Sequence, residues 1–253
     1  MIQHTFIHLP KVGKTRELSF WKQGIRTWND FLQAPTVRGV SDSNKPLLDL
    51  HLKRCQQALF DGNSTHFCCL PSVEQWRLWS EFKQEACFVD IETNYHNNIT
   101  VLGISDGTNV WQFVREHNLD GRDVKRVLSQ FKLIVTFNGA SFDLPIIRRY
   151  FSDVIPDIPH IDLRHAGARA GLTGGLKRIE KELGIARGED VDGVTGADAL
   201  KLWSAYRQTG NKQYLDLLLE YNAEDIINLK PLAEIIYSRL EAQTSKVLKE
   251  QTP

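Results

Sequence analysis

The sequence lacks the features that mark disulfide-bonded, membrane-spanning or secreted proteins. Only four of its 253 residues are cysteines, Cys55, Cys68, Cys69 and Cys87, and they show neither CxxC spacing nor the density of a disulfide scaffold. The longest apolar runs, such as FKLIVTF at 131–137, are too short to cross a bilayer, and the N-terminus has no signal-peptide core. We therefore expect a cytoplasmic protein with reduced thiols and no membrane partner.

The sequence also lacks an excess of either charge. Its 31 Lys and Arg residues balance its 31 Asp and Glu residues. No overall field draws such a chain toward a polyanion, so any nucleic-acid binding depends on a local patch. With 42% hydrophobic and 25% charged residues, the composition is that of an ordinary folded protein with a substantial core. It argues against a coating protein of high affinity, but not against an enzyme that releases its substrate.

Helical spacing dominates the chain before residue 83. Apolar residues recur every three to four positions in ELSFWKQG, TWNDFLQ, LLDLHLKRCQQALF and SVEQWRLWSEFK, which predicts a helical N-terminal region over residues 1–82. Within it, LPKVGKTRE followed by GIRTWNDFL resembles a helix-hairpin-helix, whose glycine-bearing hairpin presents backbone amides to a DNA phosphate. A plain helical cap that packs through Trp21, Trp28 and Phe31 is the alternative.

The pattern changes to short strands at about residue 83. CFVDIET, ITVLGIS and NVWQFV are β-rich runs separated by turn signals, which predicts an antiparallel meander. A helix, the buried strand KLIVTFN, a second helix and the short strand HIDLR follow, and the rest is helical. We predict an α/β fold over residues 83–242, a mixed sheet of antiparallel meander plus parallel strands flanked by helices, and a polar tail over 243–253. Pro231 should end or kink the last long helix about a turn after Asp225.

Two carboxylates lie on the first of these strands. Side chains alternate in CFVDIET, so Asp90 and Glu92 share one sheet face while Val89 and Ile91 share the other. Burying two acids side by side is unfavourable unless a cation compensates them, and a divalent metal ion would do so. An edge strand with a solvated acidic face is the alternative, although the apolar neighbours favour a strand covered on both faces.

Two further acids and a tyrosine follow in the sequence. Asp143 comes after the turn in TFNGASFDLP, where it opens the next helix, and it could serve only as an N-cap. Asp225 stands in YNAEDIINL, directly before two isoleucines, and Tyr221 lies one helical turn earlier on the same face. Each residue alone is a weak signal, so the prediction depends on their convergence.

The order DxE, NGxxFD, YxxxD resembles the DEDD exonucleases of the ribonuclease-H-like superfamily, in the tyrosine-bearing subclass. The resemblance covers about residues 83–240. WRLWSEF, CFVDIETN, IVTFNGASFDLP and YNAEDIINL are together similar to a bacterial branch described only as predicted exonucleases. The histidine-bearing subclass has a histidine five residues before the last Asp, where this chain has Glu220. Tyr221 therefore carries the assignment to the subclass.

The resemblance implies a 3′ to 5′ exonuclease that uses two Mg²⁺ or Mn²⁺ ions at single-stranded DNA or RNA 3′ ends. Asp90 would bridge both ions, and Glu92 and Asp225 would hold the one that activates water. Asp143 would support the other ion, and Tyr221 would orient the water or the phosphate. Carboxylate oxygens suit hard cations, and two ions about 4 Å apart stabilise both the attacking and the leaving oxygen. The likeness of NGxxFD to polymerase proofreading domains favours DNA over RNA, and the sequence leaves protein partners open.

A further set of residues is predicted to contact the substrate. Asn138 and Phe142 offer a polar contact and a stacking surface for a terminal nucleotide, although Phe142 could equally be core. Thr93, directly after the DxE pair, is another candidate. The loop RHAGARAGLTGGLKRIEK supplies Arg164 and Lys177 around a glycine-rich helix start that suits a phosphate, with a solvated basic helix as the alternative. A structure-selective endonuclease and a catalytically idle nucleic-acid-binding module are the alternative functions.

Overall fold

The structure, a computed structural model, describes residues 1–250. It contains two units, one formed by Gln84–Ile236 and one formed by Met1–Lys83 together with the chain from Tyr237 onward. The sequence predicted boundaries at 82/83 and 242/243. No helix within residues 1–250 has both the length and the apolar character needed to span a bilayer.

Short helices build the unit that contains the N-terminus. Its α-helices are α1 (Lys14–Lys22), α2 (Trp28–Gln33), α3 (Lys45–Phe60) and α4 (Trp79–Phe82), and its 3₁₀ turns are Ile2–His4, Ser64–Cys69 and Ser72–Leu78. A further 3₁₀ turn, Lys83–Glu85, begins at the last residue before the other unit. Phe6, Phe20 and Phe31 are fully buried, with ring centroids 5.5 to 5.6 Å apart. Trp28 packs beside Phe67 in the same unit. An aromatic core therefore stabilises this unit from within.

The helix-hairpin-helix resemblance is only partly matched by the local structure. Gly13 caps the start of α1, and Lys11 takes the left-handed conformation with φ of 62°. Before this hairpin the chain forms only the three-residue 3₁₀ turn Ile2–His4. The hairpin and the helix after it are thus present, whereas the first helix of the motif is reduced to one turn.

The second unit is built on a five-stranded sheet in the order β3-β2-β1-β4-β5. The strands are β1 (Ala86–Thr93), β2 (Ile99–Ser105), β3 (Val110–Val114), β4 (Leu133–Thr136) and β5 (His160–Asp162). β1, β2 and β3 form an antiparallel meander, and β4 and β5 extend the sheet in parallel with β1. The sheet confirms the predicted α/β fold.

Helices cover both faces of this sheet. They are α5 (Gly121–Leu128), α6 (Asp143–Tyr150), α7 (Leu163–Arg169), α8 (Leu176–Leu183), α9 (Gly196–Thr209), α10 (Lys212–Ile227) and α11 (Leu229–Glu250), the last of which runs into the other unit. Val89 and Ile91 pack with apolar residues of α5 and α6 on one face. Val101 packs with Trp203 of α9 and Leu218 of α10 on the other. β1 is therefore enclosed, as its apolar flanks predicted.

Three segments differ in detail from the sequence prediction. Helix α7 begins at Leu163, inside the predicted strand HIDLR, because the Asp162 side chain accepts the Arg164 N–H and caps the helix. The long C-terminal helix is interrupted after Ile227, and Pro231 lies in the first turn of α11, where proline is tolerated. Residues 243–250 of the predicted tail continue α11, with Leu248 buried, and residues 251–253 lie outside the described residues.

Candidate active site

Asp90 and Glu92 lie on the central strand of the sheet and share one face. β1 has neighbours on both sides, so the alternative of a solvated edge strand does not hold. Asp90 is paired with Gly103 of β2 and Glu92 with Val101, and Val101 belongs to the apolar cluster that includes α10. Glu92 is buried and Asp90 half-buried. Both carboxylates therefore face α10.

Asp225 of α10 joins these two acids in one group. Asp90, Glu92 and Asp225 each offer an oxygen, and these three oxygens all lie within 4.8 Å of one another. Tyr221, one helical turn before Asp225, is buried on the same face of α10. Asp225 is accommodated beside the apolar Ile226 because its side chain turns toward the acids of β1.

Burial raises the pKa of each of the three carboxyl groups. For Asp90 and Glu92 the neighbouring carboxylates, including Asp143 and Asp225, raise the pKa further, whereas the Arg187 guanidinium partly offsets the rise for Asp225. The three carboxyl groups converge, and each disfavours the negative charge of the others. Such a set of carboxylate oxygens is the kind of ligand set that Mg²⁺ and Mn²⁺ prefer. The residues present therefore fit a divalent cation.

Asp143 is placed beside this group but is not one of the three converging acids. It is the first residue of α6, after the N-cap residue Phe142, and its Oδ1 accepts the backbone N–H of Ile91 at 3.0 Å. Pairing between β1 and β4 extends only to Phe88, which leaves Ile91 without a strand partner on that side. The Asp143 carboxyl, whose pKa burial raises to about 7, thus fixes α6 against the strand that carries the other acids.

Asn222 is a site residue that the sequence reasoning missed. Its Nδ2 donates to Asp90 Oδ2 at 3.1 Å, and its Oδ1 accepts from Gln112 Nε2 at 3.1 Å. The amide is fully buried, and Gly103 makes room for it, since a Cβ at Gly103 would lie 2.2 Å from the Asn222 oxygen. The spacing could have revealed it, because Asn222 is three residues before Asp225 on the same helix.

Arg187 is a second residue that the sequence did not reveal. Its Nε and Nη2 donate to the two oxygens of Glu180 at 2.7 and 2.9 Å, and Nη2 lies 2.5 Å from Asp225 Oδ1. The side chains of Arg187 and Glu180 are 6% and 2% exposed. Because Arg187 is buried and held by two hydrogen bonds to Glu180, it restrains the Asp225 carboxylate. Arg187 lies in a loop after α8, so no helix or strand periodicity relates it to the acids.

Lys177, one of the predicted substrate contacts, lies next to the tyrosine. Its Nζ is 4.2 Å from the centroid of the Tyr221 ring. Burial lowers the pKa of Lys177, while the Asp225 carboxylate opposes that change. The ammonium has no hydrogen-bond acceptor within residues 1–250. It therefore retains hydrogen-bonding capacity beside the acids.

A cavity of about 430 Å³ opens over the acidic group. Its walls include Asp90, Glu92, Asp225, Tyr221, Thr93 and Phe142. Phe142 is 36% exposed, so it presents part of its ring to this cavity and is not a core residue. We call it the inner cavity.

Asn138 and Arg164 lie apart from the walls of the inner cavity. Arg164 Nη1 donates to Asn138 Oδ1 at 2.8 Å, and Asn138 has a left-handed φ of 68°. Asp162 accepts the backbone N–H groups of Asn138 and Ala140 at 2.8 and 3.0 Å. This network orders the turn between β4 and α6. Asn138 and Arg164 therefore help to position Asp143, which follows that turn.

Comparison with known proteins agrees with the fold. A family model described as RNase H superfamily matches residues 87–237, more than half of the chain. The chain belongs to the RNase H superfamily. Membership supports a nuclease-type hydrolase that acts on nucleic acid, and such nucleases generally use divalent metal ions. No curated protein and no solved structure matches the chain significantly.

Proposed function

We propose that the chain is a metal-dependent 3′ to 5′ exonuclease that hydrolyses phosphodiester bonds at single-stranded ends, with DNA favoured over RNA. The observation that carries the proposal is the convergence of Asp90, Glu92 and Asp225 beneath the inner cavity, with Tyr221 beside them. The preference for a 3′ end rests on the resemblance of the DxE, NGxxFD and YxxxD motifs to the DEDD exonucleases, and the preference for DNA rests on the likeness of NGxxFD to polymerase proofreading domains.

Four acids would be the cation ligands of the proposed enzyme. Asp90, Glu92 and Asp225 would hold one ion, and Asp143, next to Ile91, would support a second with Asp90. Two divalent ions held there would supply an activated water and stabilise charge on the scissile phosphate and the leaving oxygen. Asn222 and Arg187 hold Asp90 and Asp225 in place for this role.

Tyr221 and Lys177 contribute hydrogen-bond donors to the proposed site. Burial, together with the carboxylates of Asp225 and Glu92, raises the pKa of Tyr221, so its hydroxyl stays protonated at neutral pH and can donate to a phosphate oxygen or to the attacking water. The Lys177 ammonium, held against the Tyr221 ring, adds positive charge where charge develops on the phosphate.

Thr93 and Phe142 account for recognition of the end itself. Phe142 offers a half-exposed ring on which the terminal base can stack, and Thr93 offers a hydroxyl from the end of β1. Because Phe142 and the acids line the same cavity, a strand end whose base stacks on Phe142 lies close to the acids. We infer that Asn138 and Arg164 act indirectly, through the turn that carries Phe142 and Asp143.

The test is a time course on 5′-labelled single-stranded DNA and RNA of one sequence, with Mg²⁺, Mn²⁺ or EDTA, for the wild type and Asp225→Asn. We expect a ladder that shortens from the 3′ end, requires the metal and is absent in the variant, because the variant loses an ion ligand. Faster shortening of DNA than of RNA would support the sugar preference.

Other outcomes would replace the proposal. Internal cuts before any terminal shortening would indicate a structure-selective endonuclease on the same fold. An intact substrate under every metal condition would indicate a nucleic-acid-binding module without catalysis. Asp216→Asn, an exposed acid on the same helix α10, serves as the matched control and should cleave like the wild type.

A further inference from the structure

A second cavity adjoins the inner cavity and differs from it in charge. It has a volume of about 330 Å³ and shares Asn94, Tyr95 and Leu200 with the walls of the inner cavity. Its remaining walls are His96, the chain after β3 and part of α9, and they include Arg115, Arg207 and the buried Trp203. We call it the outer cavity. A strand whose end lies over the acids can therefore continue into it without leaving the surface.

Two arginines give the outer cavity its positive charge. Arg115 directly follows β3, where its backbone N–H donates to the Thr100 carbonyl at 2.8 Å, and its Nη1 has no hydrogen-bond acceptor within residues 1–250. Glu116, the one carboxylate among the outer cavity's described walls, forms an ion pair with Arg207, and its Oε1 also lies 4.0 Å from Arg115 Nε. An arginine with an unsatisfied N–H gains a hydrogen bond when a phosphate oxygen comes within reach.

An exposed aromatic ring lies where the two cavities join. Tyr95 is 66% exposed, although it belongs to an ordered turn in which Asn94 Oδ1 accepts the backbone N–H groups of His96 and Asn98 at 2.9 and 3.1 Å. Exposure of a large ring on a rigid turn is unfavourable in water but suits stacking with a base. Phe142 on the inner side and Tyr95 at the junction thus offer successive stacking surfaces.

We propose that the outer cavity binds the backbone and bases of the single strand just upstream of the nucleotide in the inner cavity. Arg115 and Arg207 contact phosphates, and a base stacks on Tyr95. Glu116 holds Arg207 in the free protein and weakens binding of a polyanion. This inference deepens the proposed exonuclease function and rests on it.

The experiment compares a long and a minimal substrate. Binding of a 5′-fluorescein ten-nucleotide DNA is followed by fluorescence anisotropy in Ca²⁺ at several salt concentrations, and hydrolysis of the p-nitrophenyl ester of thymidine 5′-monophosphate is followed in Mn²⁺. The ester carries only the scissile phosphate, so it offers no upstream phosphate to the arginines of the outer cavity. The variants are Arg115→Ala, Arg207→Ala and Glu116→Gln. Arg122→Ala, whose side chain is 94% exposed and lies outside both cavities, is the control.

Opposite effects are expected from the arginines and the glutamate. Each arginine variant should raise the Kd for the ten-nucleotide strand by about 5-fold to 10-fold and reduce the slope of log K against log salt by about 0.7, the effect of one lost phosphate contact on a single strand. Glu116→Gln should lower the Kd, because it removes a negative charge and releases Arg207. Hydrolysis of the ester should stay within about 2-fold of the wild type in all variants.

The outcomes separate the two proposals. A wild type that cleaves the strand, with arginine variants that bind it as tightly as Arg122→Ala, would overturn the outer-cavity site and leave the exonuclease intact. Equal losses on the strand and on the ester would also overturn it, since the arginines would then act through the inner cavity or the fold. A wild type that neither binds nor cleaves would overturn both. Should an arginine variant fail to fold, a Kd for Glu116→Gln no lower than that of the wild type would be sufficient to contradict the site.

Discussion

Three of the four acids at or beside the inner cavity are held by different kinds of partner. Asp90 accepts a hydrogen bond from the Asn222 amide, Asp143 accepts the Ile91 N–H, and Asp225 faces the Arg187 guanidinium. Acids that repel one another keep a fixed geometry only when such partners oppose their separation. At the scale of single residues, the partners therefore matter as much as the carboxylates.

Arg187→Met tests whether such a partner stabilises the buried acids. The variant leaves Glu180 and Asp225 buried without their shared cation, and removal of one member of a buried ion pair typically costs about 3–5 kcal/mol. We expect the free energy of unfolding in urea, measured in EDTA, to fall by about 3 kcal/mol. Arg178→Met, an exposed position on the same helix as Glu180, should change it by less than about 0.5 kcal/mol. A loss in Arg187→Met no larger than in this control would contradict the assigned role.

At the scale of elements, the site depends on the close approach of α10 to β2. Gly103 is the point of contact, because Asn222 occupies the space that a side chain there would fill. Because α10 packs this close to β2, the side-chain amide of Asn222 reaches Asp90 on the neighbouring strand β1. The approach of the two elements and the hydrogen bond to Asp90 are thus one structural feature.

Gly103→Ala should separate these elements. The added methyl meets the Asn222 oxygen, and overpacking of this kind costs about 1–3 kcal/mol. Asn222→Ala in the same chain should recover part of that loss, because it vacates the space, so a double-mutant cycle on the free energy of unfolding should give a coupling of at least about 0.5 kcal/mol. Strict additivity of the two substitutions would show that the contact does not determine the packing.

Period-two and helical spacing predicted the elements that carry the acids. CFVDIET as a covered strand, the meander after it and the two parallel strands follow from local patterns, and the structure confirms them. Spacing could not predict that Ser72–Leu78 forms a 3₁₀ helix, which is wound more tightly than an α-helix. In this segment Arg77 donates to Glu74, three residues earlier, and both side chains are buried. Spacing could not place Arg187 either, since a loop residue meets Asp225 only through the tertiary fold.

At the scale of the whole molecule, each unit has its own core. The family match at residues 87–237 coincides closely with the unit Gln84–Ile236, and the aromatic cluster around Phe20 belongs to the other unit. That the chain from Tyr237 onward groups with residues 1–83 was beyond sequence reasoning, because no local pattern links segments so distant. With zero net charge overall, interaction with a polyanion falls to local groups, which in our account are the two adjoining cavities.

Binding of divalent ions by the acids around Asp90 is tested most directly by a Mn²⁺ titration that follows free Mn²⁺ by electron paramagnetic resonance. We predict that the wild type binds two ions per chain, that Asp90→Asn loses them because it removes the shared ligand, and that Asp216→Asn binds like the wild type. Circular dichroism would establish that Asp90→Asn remains folded. A folded Asp90→Asn protein that binds Mn²⁺ as the wild type does, or a wild type that binds none, would contradict the account.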